Sequence, residues 1–240
     1  MRINQLFLIF LLVLCIPAAA QSKMILASGA GYRSLVDDLA DTYTKKTGNQ
    51  IERIYGNMSR VTAQANVSGA VDMVLGDANF LKKAKIPFKT THKIGNGKLV
   101  VAFPKGSSFH TKADLLNDKV TRIAIPDTNR AIYGKAALQY FKNTKIYDKI
   151  ESKLLIVATV PQSASYVVAG EVDYAFINLT HARKIAKSIG GYVLIDQKDY
   201  SPINIIIGQM VTSANQKDCE DFLKFLTTEE AAKITAKHGM

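Results

Sequence analysis

Short apolar runs alternate with segments whose apolar residues recur at helical spacing along nearly the whole chain. This is the signature of βα units and predicts an α/β protein. The runs that read as strands span 24–28, 51–55, 73–75, 99–104, 122–125, 154–157, 173–177, 192–195 and 203–211. Each is short and apolar enough to be covered by flanking helices on a mainly parallel sheet. Between the first two, Leu35, Val36, Leu39, Ala40 and Tyr43 share one helical face, and Gly48 supplies the left-handed residue that ends such a helix. Similar faces run through Ala136, Tyr140 and Phe141 and through Phe222, Phe225 and Leu226; such aromatic stripes predict core rather than cofactor contacts. No low-complexity linker, fixed-period repeat or long charge block interrupts the pattern. The apolar strand before residue 104 and the segment 200–211 predict that the chain leaves one lobe near residue 100 and returns near residue 200. Lobe 1 is then 21–100 plus 200–240 and lobe 2 is 101–199, with a ligand cleft between them.

The first twenty residues carry Arg2, an apolar run over 6–16, Pro17 and the small residues Ala18, Ala19 and Ala20. That layout predicts a cleaved secretory signal over 1–20, cut after Ala20, and a periplasmic protein; the run is too short for a membrane span. Leu14 stands where a lipoprotein signal prefers a small side chain, so Cys15 is not read as an anchor. Without the leader Cys219 is the sole cysteine, so no internal disulfide is expected and stability rests on the core. Lys and Arg number 31 against 20 Asp and Glu, a net charge of +11, which favours anionic partners. Lys82, Lys83 and Lys85, or Lys184 and Lys187, lack the interleaved aromatics of a nucleic-acid platform, and no nucleic-acid partner is expected.

Five expected strand ends run into polar or glycine-containing turns that open helices: Ser28 to Gly31, Gly56 to Ser59, Asp127 to Asn129, Thr159 to Val160, and Asn178 to Thr180. Ligands of open α/β sheets bind outside such carboxyl ends. Helix N-termini present free N–H groups and the positive end of the dipole, which suits an anion. Each turn alone is ordinary, because Ser, Asn, Asp and Thr are the usual N-caps. Ser34 stands where a dinucleotide fingerprint needs its third glycine. There is no GxSxG elbow, HExxH, phosphate-loop lysine or cysteine pair, and His92, His110, His181 and His238 lack ligand spacing. The expectation is no enzyme, no metal and no cofactor. Asp127 and Asp173 are the only carboxylates worth testing for catalysis, and both read more simply as turn or cap residues.

The stretches DLADTYTKKTG, YGNMSRVTAQANVSGAVDMVLGDANFL, NGKLVVAFPKGS, RIAIPDTNRAIYGKAALQYF, VPQSASYVVAGEVDYAFINLTHA and DFLKFLTTEEAAKITAKHGM, in that order, resemble the periplasmic molybdate-binding proteins of molybdate ABC transporters, which are type II solute-binding proteins. The resemblance implies two hinged α/β lobes that close on a tetrahedral oxyanion and deliver it to a membrane permease. It also implies where contacts fall: a serine opening the first helix, a serine after the second strand, backbone donors in the lobe 2 turns, and a tyrosine ending a lobe 2 strand. The matching positions here are Gly31, Met58 or Ser59, Ala131 and Val160, and Asn178. Three of them depart from the pattern, since Gly31 has no hydroxyl, Met58 replaces another and Asn178 stands for the tyrosine. Backbone donors at Gly29, Gly31, Ser59 and Val160 survive these changes, and Asn57, Arg60 and Asn178 bring donors that the pattern lacks at those places. The expected function is capture of molybdate or tungstate by a monomer for an ABC importer. The alternatives are another anion, such as a phosphonate or small organic acid, or a ligand-dependent sensor of a membrane receptor.

Overall fold

The computed structural model describes residues 23–240; the expected leader, with Arg2, Cys15 and the cut after Ala20, lies outside the described residues. The chain opens with β1 (Lys23–Gly29), a 3-10 turn at Ala30–Tyr32, and α1 (Arg33–Thr47). It continues through β2 (Gln50–Gly56), α2 (Met58–Ser68), β3 (Met73–Asp77), α3 (Ala78–Lys83) and β4 (Phe88–Gly97). One residue, Lys98, separates β4 from β5 (Leu99–Phe103), where the chain enters a second sheet. There follow β6 (Ile123–Pro126), α4 (Ile132–Asn143), α5 (Tyr147–Ile150), β7 (Leu154–Val157), α6 (Val160–Ala169), β8 (Tyr174–Asn178), α7 (Leu179–Ile185) and β9 (Gly191–Leu194). The chain then returns to the first sheet with β10 (Ile203–Met210) and ends in α8 (Gln216–Leu226) and α9 (Glu229–Lys237).

Two five-stranded sheets result, in the orders β2-β1-β3-β10-β4 and β7-β6-β8-β5-β9. In each, three neighbouring strands pair in parallel, and one strand, β10 or β5, runs opposite to the other four. Parallel neighbours need a helical crossover on the sheet face; strands arriving from the other lobe carry no such constraint and enter in the opposite sense. The nine expected strands all form, with ends displaced by a residue or two. The tenth, β4, was not expected. Its face is largely solvent-exposed, with Lys89, Thr90, Thr91 and Lys93 outward, and it pairs only with β10 at the sheet edge. Having no fully buried face, it carries no continuous apolar run, whereas threonines and a charged edge are what an unpaired rim calls for.

The helices follow their local signals. Asn57 Oδ1 accepts from the Arg60 N–H at 2.9 Å, Asp77 Oδ1 from Phe80 at 2.9 Å and Thr159 Oγ1 from Gln162 at 3.3 Å, satisfying first-turn donors of α2, α3 and α6. Gly48 closes α1 at φ 79°, which costs glycine no Cβ clash. The aromatic stripes pack as core: Tyr43 meets Phe222 edge-on at 5.1 Å, and Phe141 meets Phe176 at 4.8 Å. Cys219 is fully buried against Met24, and burial pushes its thiol up to about 11, far from a nucleophile's range. Beneath it Asp72 joins three segments, accepting from Ile25 N–H at 2.7 Å, Ser213 Oγ at 2.6 Å and Asn215 Nδ2 at 3.1 Å.

Candidate functional site

Four helix starts meet between the sheets. From the first lobe come the turn at Gly29–Tyr32 and the start of α2 at Gly56, Asn57 and Met58. From the second come the start of α4 at Ala131, Ile132 and Tyr133, and that of α6 at Thr159 and Val160. Together they enclose a cavity of about 20 Å³, room for about one water. None of the lining residues carries a charged side chain. The electrostatics there come from backbone dipoles, whose positive ends point inward from both lobes. Met58 and Val160 are the first residues of their helices, so their N–H groups have no carbonyl one turn back.

Six of the nine expected residues line this cavity: Gly29, Gly31, Asn57, Met58, Ala131 and Val160. The amide of Ala131 is already occupied, donating to the Asp127 carbonyl at 3.0 Å. Ser59 lies one residue past the cavity wall, and its N–H donates across the cleft to the Arg130 carbonyl at 3.3 Å. Arg60 is exposed and lies against Gly56 on the outer side of α2. Asn178 sits at the cavity's back, fully buried, its Nδ2 donating across the cleft to the Gly31 carbonyl at 3.0 Å. Its Oδ1 has no partner among the described residues and faces the Cα of Gly31, where any side chain would collide with it.

The lobes meet through further polar bridges. The hydroxyls of Tyr32 and Tyr133 are 2.6 Å apart, both rings fully enclosed, and burial pushes both above the usual tyrosine range, so both stay protonated. Both hydroxyls sit over Gly97 at the crossing, where a Cβ would stand 2.2 Å from one and 2.9 Å from the other. Tyr200 Oη accepts from the Leu99 N–H at 3.0 Å and staples the two crossing segments together. Farther out, Thr180 Oγ1 donates to the His238 carbonyl at 3.1 Å and Arg183 Nη1 to the Lys237 carbonyl at 2.7 Å. Nothing in the sequence singles out Tyr32 or Tyr133. A tyrosine on a core-facing stripe looks the same in the pattern whether its hydroxyl is buried in its own lobe or reaches the other one.

The two carboxylates considered for catalysis are engaged with backbone. Asp127 Oδ1 accepts from the Asn129 and Arg130 N–H groups, both at 2.8 Å, and Asp173 Oδ2 from Thr121 and Arg122 at 2.8 and 3.0 Å. Arg33 stacks over the Tyr55 ring at 4.2 Å, and Arg130 lies 3.9 Å from Asp127. Among the described residues no three His, Cys, Asp or Glu side chains gather as a metal site, and no helix is long and apolar enough to cross a membrane.

Comparison with known proteins agrees with this architecture. The chain is 26% identical over 246 residues to the molybdate-binding protein ModA of Rhodobacter capsulatus, covering 100% of this chain and 96% of that one. It superposes on the Azotobacter vinelandii periplasmic molybdate-binding protein with a TM-score of 0.82 at 20% identity, over 90% of this chain and 97% of that. It also superposes on L-phospholactate-bound PEB3, a Campylobacter jejuni protein, with a TM-score of 0.71 at 16% identity, over 90% and 98% of the two chains. The sequence pattern of the bacterial extracellular solute-binding proteins matches residues 25–240. With that match running from the first strand to the last residue, over two lobes that face each other across helix starts, the chain belongs to the bacterial extracellular solute-binding protein family.

Proposed function

We propose that the protein captures a small tetrahedral oxyanion in the cavity between its lobes and passes it to the permease of an ABC importer, working as a periplasmic monomer whose lobes divide near residues 100 and 200. The observation that carries this reading is the meeting of four helix starts, two from each lobe, around a cavity lined by no charged side chain. Inward-pointing dipoles and first-turn amides stabilise an anion whose hydration shell has been removed, without a countercharge that would hold it too tightly for release. Because the donors come from both lobes, the anion is enclosed only when the lobes come together, which links occupancy to the shape a permease meets. Molybdate and tungstate are the first anions to test, being those to which the resemblance of the motifs and the names of the relatives point.

A second reading, a phosphonate or small phospho-acid, is favoured by one feature. The resemblance implies a serine hydroxyl at Met58 or Ser59; Met58 lines the cavity without one and Ser59 lies past its wall, so the donor set is thinner than the resemblance implies. The relative whose structure holds L-phospholactate shares the fold. The test is calorimetry and thermal melting of the chain from Gln21 onward against molybdate, tungstate, sulfate, phosphate, a simple phosphonate, L-phospholactate and simple carboxylates. An anion present at a hundred times its dissociation constant adds about 2.7 kcal/mol to stability, a plain upward shift in melting temperature. Shifts with molybdate and tungstate alone support the first reading, shifts with phospho-acids alone support the second, and no shift with any anion overturns both.

A further inference from the structure

We propose that Met58 sets the upper size limit of the anion, and so decides between larger tetrahedral oxyanions such as molybdate and tungstate and smaller ones such as sulfate and phosphate. The inference rests on the reading of the cavity as the anion site. Met58 opens α2, lines the cavity and is 2% exposed. Its side chain lies over β1 and β3 where two glycines leave space. A Cβ on Gly76 would stand 2.5 Å from Met58 Cε and 3.2 Å from its Sδ, and one on Gly29 would stand 3.1 Å from Sδ. The thioether thus already fills the room behind it, and the cavity does not enlarge by pushing it farther back.

The remaining walls have little give. Gly29, Gly31, Gly56 and Ala131 present backbone, Ile132, Thr159 and Val160 are branched at Cβ and stiff, and Tyr32 and Tyr133 are locked to each other. Met58 is the one lining side chain that is unbranched, with three rotatable bonds. A cavity of about 20 Å³ holds about one water, whereas a tetrahedral oxyanion brings four oxygens around a central atom. Met58 is the flexible lining side chain whose truncation enlarges the cavity. A thioether is also no hydrogen-bond donor, so it limits size without adding a contact that would favour one anion chemically.

Three variants test this by calorimetry against molybdate, tungstate, sulfate and hydrogenphosphate. Met58→Ala enlarges the cavity and is expected to raise affinity for molybdate and tungstate relative to sulfate by about tenfold or more, the discrimination that a methylene or two of pocket volume supports. Met58→Leu keeps the bulk and is expected to leave the ratio within about twofold of the parent's, well below that discrimination. Gly76→Ala, which lines no part of the cavity, presses the end of Met58 toward it and is expected to shift the ratio the opposite way. This variant leaves Met58 itself in place, so it also guards against a folding defect in Met58→Ala. An unchanged ratio in Met58→Ala and Gly76→Ala, with binding intact, overturns the inference alone. Silence toward all four anions in parent and variants overturns the reading of the cavity as a site for inorganic tetrahedral oxyanions, and the size limit with it.

Discussion

His181, on α7, has its imidazole pushed down to about 4, by burial first and by the neighbouring Lys184 second. The unfolded chain takes up a proton near pH 6.5, well before the folded one does, so protons bind the unfolded state preferentially between these values. This group's contribution is therefore fully present above about pH 6.5 and is lost as pH falls toward 4. The urea midpoint is expected to drop between pH 7 and pH 4.5, and to drop less in His181→Gln; an equal drop in the variant assigns the acid sensitivity elsewhere. At this same scale, the sequence disclosed the cavity only partly. The turn residues Gly29, Gly31, Asn57, Met58, Ala131 and Val160 were visible as helix openers after strands, and they line it. Ser59 and Arg60 belong to the same turn yet face elsewhere, because successive helical residues rotate by about 100°, so only the first residue of α2 is aimed inward. Tyr32, Tyr133 and the unpartnered Oδ1 of Asn178 depend on how the lobes meet, which no local pattern encodes.

Among the elements, α2 shows how one residue serves both fold and site. Asn57 caps the helix through Oδ1 and lines the cavity. Asn57→Ala removes the cap and is expected to cost about 1 kcal/mol in a urea titration. Asn57→Asp keeps an acceptor at the cap and places a negative charge at the cavity. It is expected to hold stability within about 0.5 kcal/mol of the parent, while weakening oxyanion binding by about tenfold or more, since a like charge at the site opposes the anion. Loss of stability with unchanged binding would mean that Asn57 serves the helix only. Apolar strands such as β1, β3 and β8 were legible because both their faces are covered, which forces continuous apolar runs. β4 is hard to read from the sequence for the converse reason. Its residues answer to solvent and to an edge, and its pairing partner β10 lies more than a hundred residues away in sequence.

For the whole molecule, the chain passes between its two sheets twice, after β4 and after β9. Gly97, at the end of β4, lies under the Tyr32 and Tyr133 hydroxyls, with Ile203 Cγ2 2.8 Å from the site of any Cβ. Gly97→Ala therefore opposes the closed arrangement without altering a cavity-lining residue. The expected result is a larger radius of gyration by small-angle scattering and weaker anion binding, with each lobe still folded by circular dichroism. An unchanged radius would show that the crossing yields locally and that closure is set farther out, at contacts such as Thr180 to His238. The two-lobe plan was legible from the positions of the apolar strands near residues 100 and 200. The closeness of the lobes was not, because it rests on hydroxyls and amides that meet only after both lobes exist.

The strand order of the first sheet also dictates a sequence of events in the life of the chain. β10 lies between β3 and β4, and among the described residues β4 has no other strand to pair with. A growing chain that has emerged as far as residue 194 already holds every strand of the second sheet, whereas the first lacks an inner strand until the last forty or so residues arrive. The second lobe is thus competent to fold early and the first only at the end, through long-range pairing that is intrinsically slow. During that interval the unpaired edges of β3 and β4 are open to chaperones and proteases. A chain cut short after β9 leaves one lobe able to fold and the other marked for degradation.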